Sequence, residues 1–168
     1  MSFLLSINIP ERVSDLITQQ AFDQYTISKP SHEFQSRLDE LSINDIFADQ
    51  ISDRDMAGCC LSGLWLLHNF LDRSHEISQQ IDSAEGSFWH AIMHRLEGDF
   101  GNSKYWYRRV GDHPVFNAMS PKGDWDPFIF VDECESAQRS GGAAATSVHQ
   151  TAVIEWKSLF EFCFNRAY

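Results

Sequence analysis

The chain has little of what usually announces a function. Its four cysteines, Cys59, Cys60, Cys134 and Cys163, show no CxxC spacing. An adjacent pair on one helix cannot easily bridge, so neither a disulfide framework nor a zinc ribbon follows. No apolar run approaches the roughly 18–20 residues of a membrane span, and the opening residues Met1 to Pro10 lack a basic n-region, so a soluble cytoplasmic protein is expected. Positive charge is scarce as well. Thirteen Lys and Arg stand against 24 Asp and Glu, a net charge of −11. Such a chain repels nucleic acid and anionic lipid, and neither is expected as a partner. Also missing are a G-x-S-x-G elbow, a Gly-rich phosphate loop, an HExxH pair and the HxE with a later PCxxC of deaminases. No stretch alternates with period two over five or more residues, which leaves little room for a sheet.

What is present is a helical pattern rich in aromatic residues, with 13 Phe and 5 Trp in 168 residues and 43% hydrophobic content. That length suits one core, so an all-α, single-domain helical bundle with short helices and long aromatic-rich connections is expected. Pro10 opens a helix near 10–22, and Ser31 starts another through Leu41. Ser52 to Asp55 supply an N-terminal cap for the central helix, whose apolar run from Met56 to Leu71 carries Gly58, Cys59, Cys60, Ser62 and Gly63, small residues that let another helix come close. This helix is expected to continue, straight or slightly kinked, through residues 72–81. After the turn at 82–86, Ser87 caps the next helix, which Gly98 and Gly101 interrupt. Residues 102–110 form a further helix, and Asp126-Pro127 begins another. Residues about 139–148 are low in complexity and read as a mobile loop before a last helix over 149–167.

The chemistry gathers in residues 87–111. His90, His94 and Glu97 recur at i, i+4 and i+7, on one helix face, and His68, Asp72 and His75 repeat that spacing just upstream. If the two helices run antiparallel, His75 comes near His90 or His94 and Asp72 near Glu97. Imidazoles and carboxylates from two facing helices can hold a divalent transition metal, zinc, iron or manganese. The six residues are therefore the candidate metal ligands, and a metal-dependent hydrolase is the reaction class they suggest. Hydrogen-bonded histidines in an aromatic core are the bland alternative.

A second candidate site rests on charge contrast. Residues 1–86 carry 14 acids and 5 bases and residues 114–168 carry 7 and 4, whereas residues 87–113 carry 3 and 4. Arg95, Lys104, Arg108 and Arg109 gather there beside Tyr105, Trp106 and Tyr107, an arrangement in which Lys104, Arg108 and Arg109 could bind a small anionic ligand. The competing possibility is pairing with the chain's own surplus acids. A non-enzymatic anion-binding or protein-interaction module, with the histidines structural, is the alternative to the metal enzyme.

Residues 86–116, containing Trp89-His-Ala-Ile-Met-His-Arg95 and Tyr105-Trp-Tyr-Arg-Arg-Val-Gly111, together with Trp125 to Asp132 and the closing Glu155-Trp-x-x-Leu-Phe160, resemble a family of uncharacterised bacterial proteins. The resemblance implies that residues 64–132 act as one unit. It implies no substrate or catalytic residue.

Overall fold

The computed structural model describes residues 5, 7–26, 29–47, 50–120 and 122–168. The helices are α1 Glu11–Ser14, α2 Gln19–Gln24, α3 His32–Asp39, α4 Ile43–Phe47, α5 Arg54–Leu67, α6 Leu71–Ser78, α7 Ala84–Glu97, α8 Phe100–Val110, α9 Pro114–Ala118, α10 Pro127–Ser140 and α11 Gly142–Ala167. No strand occurs among the described residues, and the class is all-α, in one compact domain. None of the helices is long and apolar enough to cross a membrane.

Capping chemistry explains most of the boundaries. Asp53 accepts from the amides of Asp55 and Met56 to start α5, and Asp99 accepts from Asn102 to start α8. Asp126 accepts from Phe128 and Ile129 ahead of Pro127, where the missing proline N–H costs nothing. Gly98, at φ 86°, closes α7 in the left-handed region.

Four sequence expectations need correction. The helix over 10–22 is two, because the chain turns after Ser14 and Thr18 caps α2 by accepting from Ala21. Ser83, and not Ser87, caps α7 through Gly86. The central helix does not continue: it ends at Leu67, Asn69 takes φ 63°, and α6 starts afresh at Leu71. The loop expected over 139–148 is helix on either side of Gly141, at φ 65°. The alanines after Gly142 are the best helix formers available, so the break is confined to Gly141 and Gly142, both at positive φ.

α5 lies at the centre and packs against α6, α7 and α11. Gly63 is the point of closest approach. The Trp156 indole of α11 donates from Nε1 to the Gly63 carbonyl at 2.8 Å, and a Cβ at Gly63 would sit 2.8 Å from the Trp89 ring of α7. Trp156 in turn stacks on Phe160 and meets Phe22 and Trp89 edge-on.

Within this core lies a buried ion pair. Arg95 of α7, 4% exposed, donates to both carboxylate oxygens of Glu155 on α11, which is fully buried. Arg95 Nη1 also donates to the Tyr107 hydroxyl at 2.8 Å, and that hydroxyl donates onward to Glu155 Oε1 at 2.5 Å. The guanidinium lies 4.6 Å over the Phe130 ring of α10. Burial works against charge on Arg95, but the Glu155 carboxylate and Tyr107 outweigh it and hold the group firmly protonated.

Two stability predictions follow from these contacts. Glu155→Gln keeps the shape but leaves a buried guanidinium without its counter-charge, and should cost about 3–5 kcal/mol. Tyr107→Phe removes one hydroxyl from the network and should cost less, about 1–3 kcal/mol. Urea unfolding of both variants checks the order; equal losses would mean that the charge is not what matters. Gly63→Ala gains up to about 1 kcal/mol in helix propensity but overpacks Trp89 by about 1–3 kcal/mol, so a net loss is expected in the same measurement.

Candidate metal centre

The antiparallel turn between α6 and α7 brings three histidines together. His75 lies with its ring 4.5 Å from His90 and 5.7 Å from His94, and His90 and His94 are 4.8 Å apart. One ligand nitrogen from each lies within 4.8 Å of the others. His90 and His94 are buried, and His75 is half-buried at the opening of the site.

Hydrogen-bond partners fix the ring states. Glu97 Oε1 lies 3.1 Å from His94 Nδ1, and a carboxylate only accepts, so Nδ1 carries the proton and Nε2 a lone pair. The Asn102 amide Nδ2 donates to that lone pair at 3.1 Å. Ser78 Oγ donates to the His75 carbonyl at 3.4 Å and so accepts from His90 Nδ1 at 3.3 Å, which leaves His90 Nε2 unprotonated. Burial, then the neighbouring His75 and His94, push the His90 pKa down to about 3. The ring is therefore neutral near pH 7, the state a metal requires. On its flat side His90 stacks on Trp106 of α8, with centroids 3.9 Å apart and planes 28° apart.

The six residues expected as one ligand set divide. Glu97 stands beside His94 and orients it, the position of a carboxylate behind a metal-binding imidazole. Asp72 is exposed and lines a separate cavity of about 490 Å³ with Asn69, Phe70 and Arg73. His68 lies apart, because the turn at Asn69 puts it on a different helix from His75. Its Nε2 donates to the Leu16 carbonyl at 2.9 Å and its ring packs 4.5 Å from Phe34. Asp99, which the spacing argument missed, forms a second possible ligand group with His94 and Glu97 just after the end of α7. Its distance of five residues from His94 falls off a regular helical face and becomes close only because Gly98 turns the chain.

The cations of the second candidate site point in different directions. Lys104 pairs with Asp132 at 2.5 Å, and Arg108 lies 5.9 Å over Phe128 of α10. Arg109, about 100° further round α8, reaches Asp82 at 3.5 Å and lies 5.2 Å over Trp106. The three do not surround one point, and of them Arg109 contacts Trp106, the indole on which His90 stacks.

Cys59, Cys60 and Cys134 are held in the thiol form. A hydrogen bond to Cys163 and burial raise Cys59, burial raises Cys60, and burial pushes Cys134 up to about 11.

The chain matches no protein-family model, no curated protein and no solved structure. The resemblance noted for residues 86–132 and 155–160 thus brings no ligand or residue role, and the function must be argued from the geometry.

His68 gives a pH prediction. Burial, outweighing the Leu16 hydrogen bond, lowers its pKa to about 4 against an ordinary 6.5. The unfolded chain takes up the proton first, so this stability is full above pH 6.5 and falls as the pH drops towards 4, by up to about 3 kcal/mol. His68→Gln can keep the bond to Leu16 and does not titrate. Urea unfolding between pH 7 and 4 should show a shallower decline for the variant; identical slopes would refute the assignment.

Proposed function

We propose that the protein binds a divalent transition metal through His75, His90 and His94. The observation that carries this reading is the convergence of three imidazole nitrogens from two helices within 4.8 Å, with two of the rings oriented by Glu97 and Ser78. Tetrahedral zinc with bonds of about 2.0–2.1 Å needs ligand nitrogens roughly 3.3 Å apart. The rings must draw in by about an ångström, a small side-chain rotation, and the Asn102 amide must release His94 Nε2. Three nitrogen ligands suit zinc best among zinc, iron and manganese, and they leave a fourth position for water. Metal-activated water makes hydrolysis the reaction class we assign to such a centre. The alternative is a non-enzymatic protein with a structural histidine cluster; in its favour, Glu97 and Asn102 already engage both nitrogens of His94, and Ser78 engages Nδ1 of His90, from within the chain.

Elemental analysis of untagged protein, loaded with zinc and desalted, decides between them. Near one equivalent of metal is expected in wild type and in His68→Gln. His90→Ala and His94→Ala should each lose it by tenfold or more in affinity. A wild type that retains no metal, or a His90→Ala variant that retains it in full, would sink the metal reading. Asn102→Ala should bind zinc more tightly than wild type, since the competing amide is gone.

A further inference from the structure

We infer that Arg109 anchors a small organic dianion whose other anionic group sits at the metal held by His75, His90 and His94, so that the site's ligand class is the dicarboxylates and their chemical equivalents. This inference rests on the metal reading above and names the ligand of the same site.

Charge is the first observation. The three converging groups are imidazoles, which bind a metal in the uncharged form, and the Glu97 carboxylate faces His94 Nδ1 instead of joining the His75 and His90 nitrogens. A divalent ion bound there keeps its full positive charge, and its open position favours an anionic oxygen.

Trp106 supplies the second observation. The indole has His90 stacked on it at 3.9 Å and the Arg109 guanidinium over it at 5.2 Å. The ring thereby sets a cation at a fixed offset, one indole away from a metal-binding histidine. Aromatic stacking holds the guanidinium plane while leaving its edge donors open to a carboxylate. Arg109 and Trp106 follow one another at i and i+3 on α8, and the anchor is built into a single helix turn.

The third observation is how weakly Arg109 is otherwise held. Its acidic neighbour is Asp82, in the turn between α6 and α7, at 3.5 Å, with the Asp82 side chain 98% exposed. A long, solvated pair of this kind contributes little, and a ligand carboxylate that accepts two parallel bonds displaces it. Lys104 differs: it is shorter-ranged, better buried and joined to Asp132 at 2.5 Å. Of the cations on α8, Arg109 is thus the one that both contacts the indole on which His90 stacks and is available to a ligand.

Calorimetric titration of the zinc-loaded protein with succinate, glutarate, adipate and pimelate, with acetate as the single-anion control, tests the inference. At least one dicarboxylate should bind roughly tenfold or more tightly than acetate. Arg109→Ala should bring that dicarboxylate to the acetate level with the zinc content unchanged, Arg109→Lys should recover only part of the difference, and Asp82→Asn should tighten binding. Dicarboxylates binding no better than acetate, or binding equally well to Arg109→Ala, would overturn the assignment of Arg109 while leaving the metal centre standing. A wild type that takes up no zinc would overturn both. Because Arg109 is exposed, its substitution is not expected to perturb folding, and an unchanged urea midpoint confirms that the variant reports on binding.

Discussion

The buried pair of Arg95 and Glu155 is the constraint on which the geometry of the site depends. It joins residues 60 positions apart, ties α7 to α11, and draws in α8 through the Tyr107 hydroxyl. A buried pair of this kind is poor evidence of net stability, because removing two charges from water costs about as much as their attraction returns. Its consequence is specificity of arrangement. An unpaired guanidinium in this core would be so unfavourable that α7, α8 and α11 have essentially one way to fit. His94 immediately precedes Arg95 in α7, and Trp106 immediately precedes Tyr107 in α8. The clamp therefore also sets the relative position of the histidines and of the indole that stacks against them.

The histidine cluster follows a different physical rule. In a chain with 24 carboxylates, the group that converges between α6 and α7 contains none. Burial makes the neutral ring the favoured state, and each added imidazole discourages its neighbours from taking a proton, as the low pKa of His90 reflects. Neutral nitrogen lone pairs close together are of little use to a core, since imidazoles cannot all donate to one another. They become mutually compatible around a cation, or when hydroxyl, carboxylate and amide groups take their nitrogens one by one. Ser78 and Glu97 do the latter through Nδ1 of His90 and His94, which leaves Nε2 of His90 for a cation, while Asn102 takes Nε2 of His94.

Much of the fold was legible in the sequence because it is local. The caps at Asp53 and Asp126, the stop at Gly98 and the small-residue face of α5 need only a few residues each, and they stand where those residues put them. The meeting of His75 with His90 and His94 was also legible, since it needs only helical period and a turn at 82–86. His68 was included for a reason that can be named, whereas Asp72 shares α6 with His75 and does not join the converging group. The i, i+4, i+7 argument assumes unbroken helix, and a single left-handed Asn69 invalidates it. Asparagine tolerates that conformation better than most residues, and a polar Asn between two apolar runs was the available signal.

The Arg95 pair was not read from the sequence, yet each half left a trace. Arg95 is the one charged residue between Ser87 and Leu96, and Glu155 falls three residues after Ala152 and four before Leu159, on the stripe that α11 buries. A lone charge on an apolar face must be matched by its opposite from elsewhere in the chain. Two such charges of opposite sign, on two different buried stripes, satisfy that requirement only by meeting. The argument that grouped Arg95 with Lys104, Arg108 and Arg109 as surface cations overlooked it, because net charge along the chain averages away the face on which each residue lies. Once Arg95 is assigned to the core and Lys104 to Asp132, the surplus cation beside Trp106 is reduced to Arg109. The two candidate sites, which looked independent in the linear order, then become neighbours across a single indole ring.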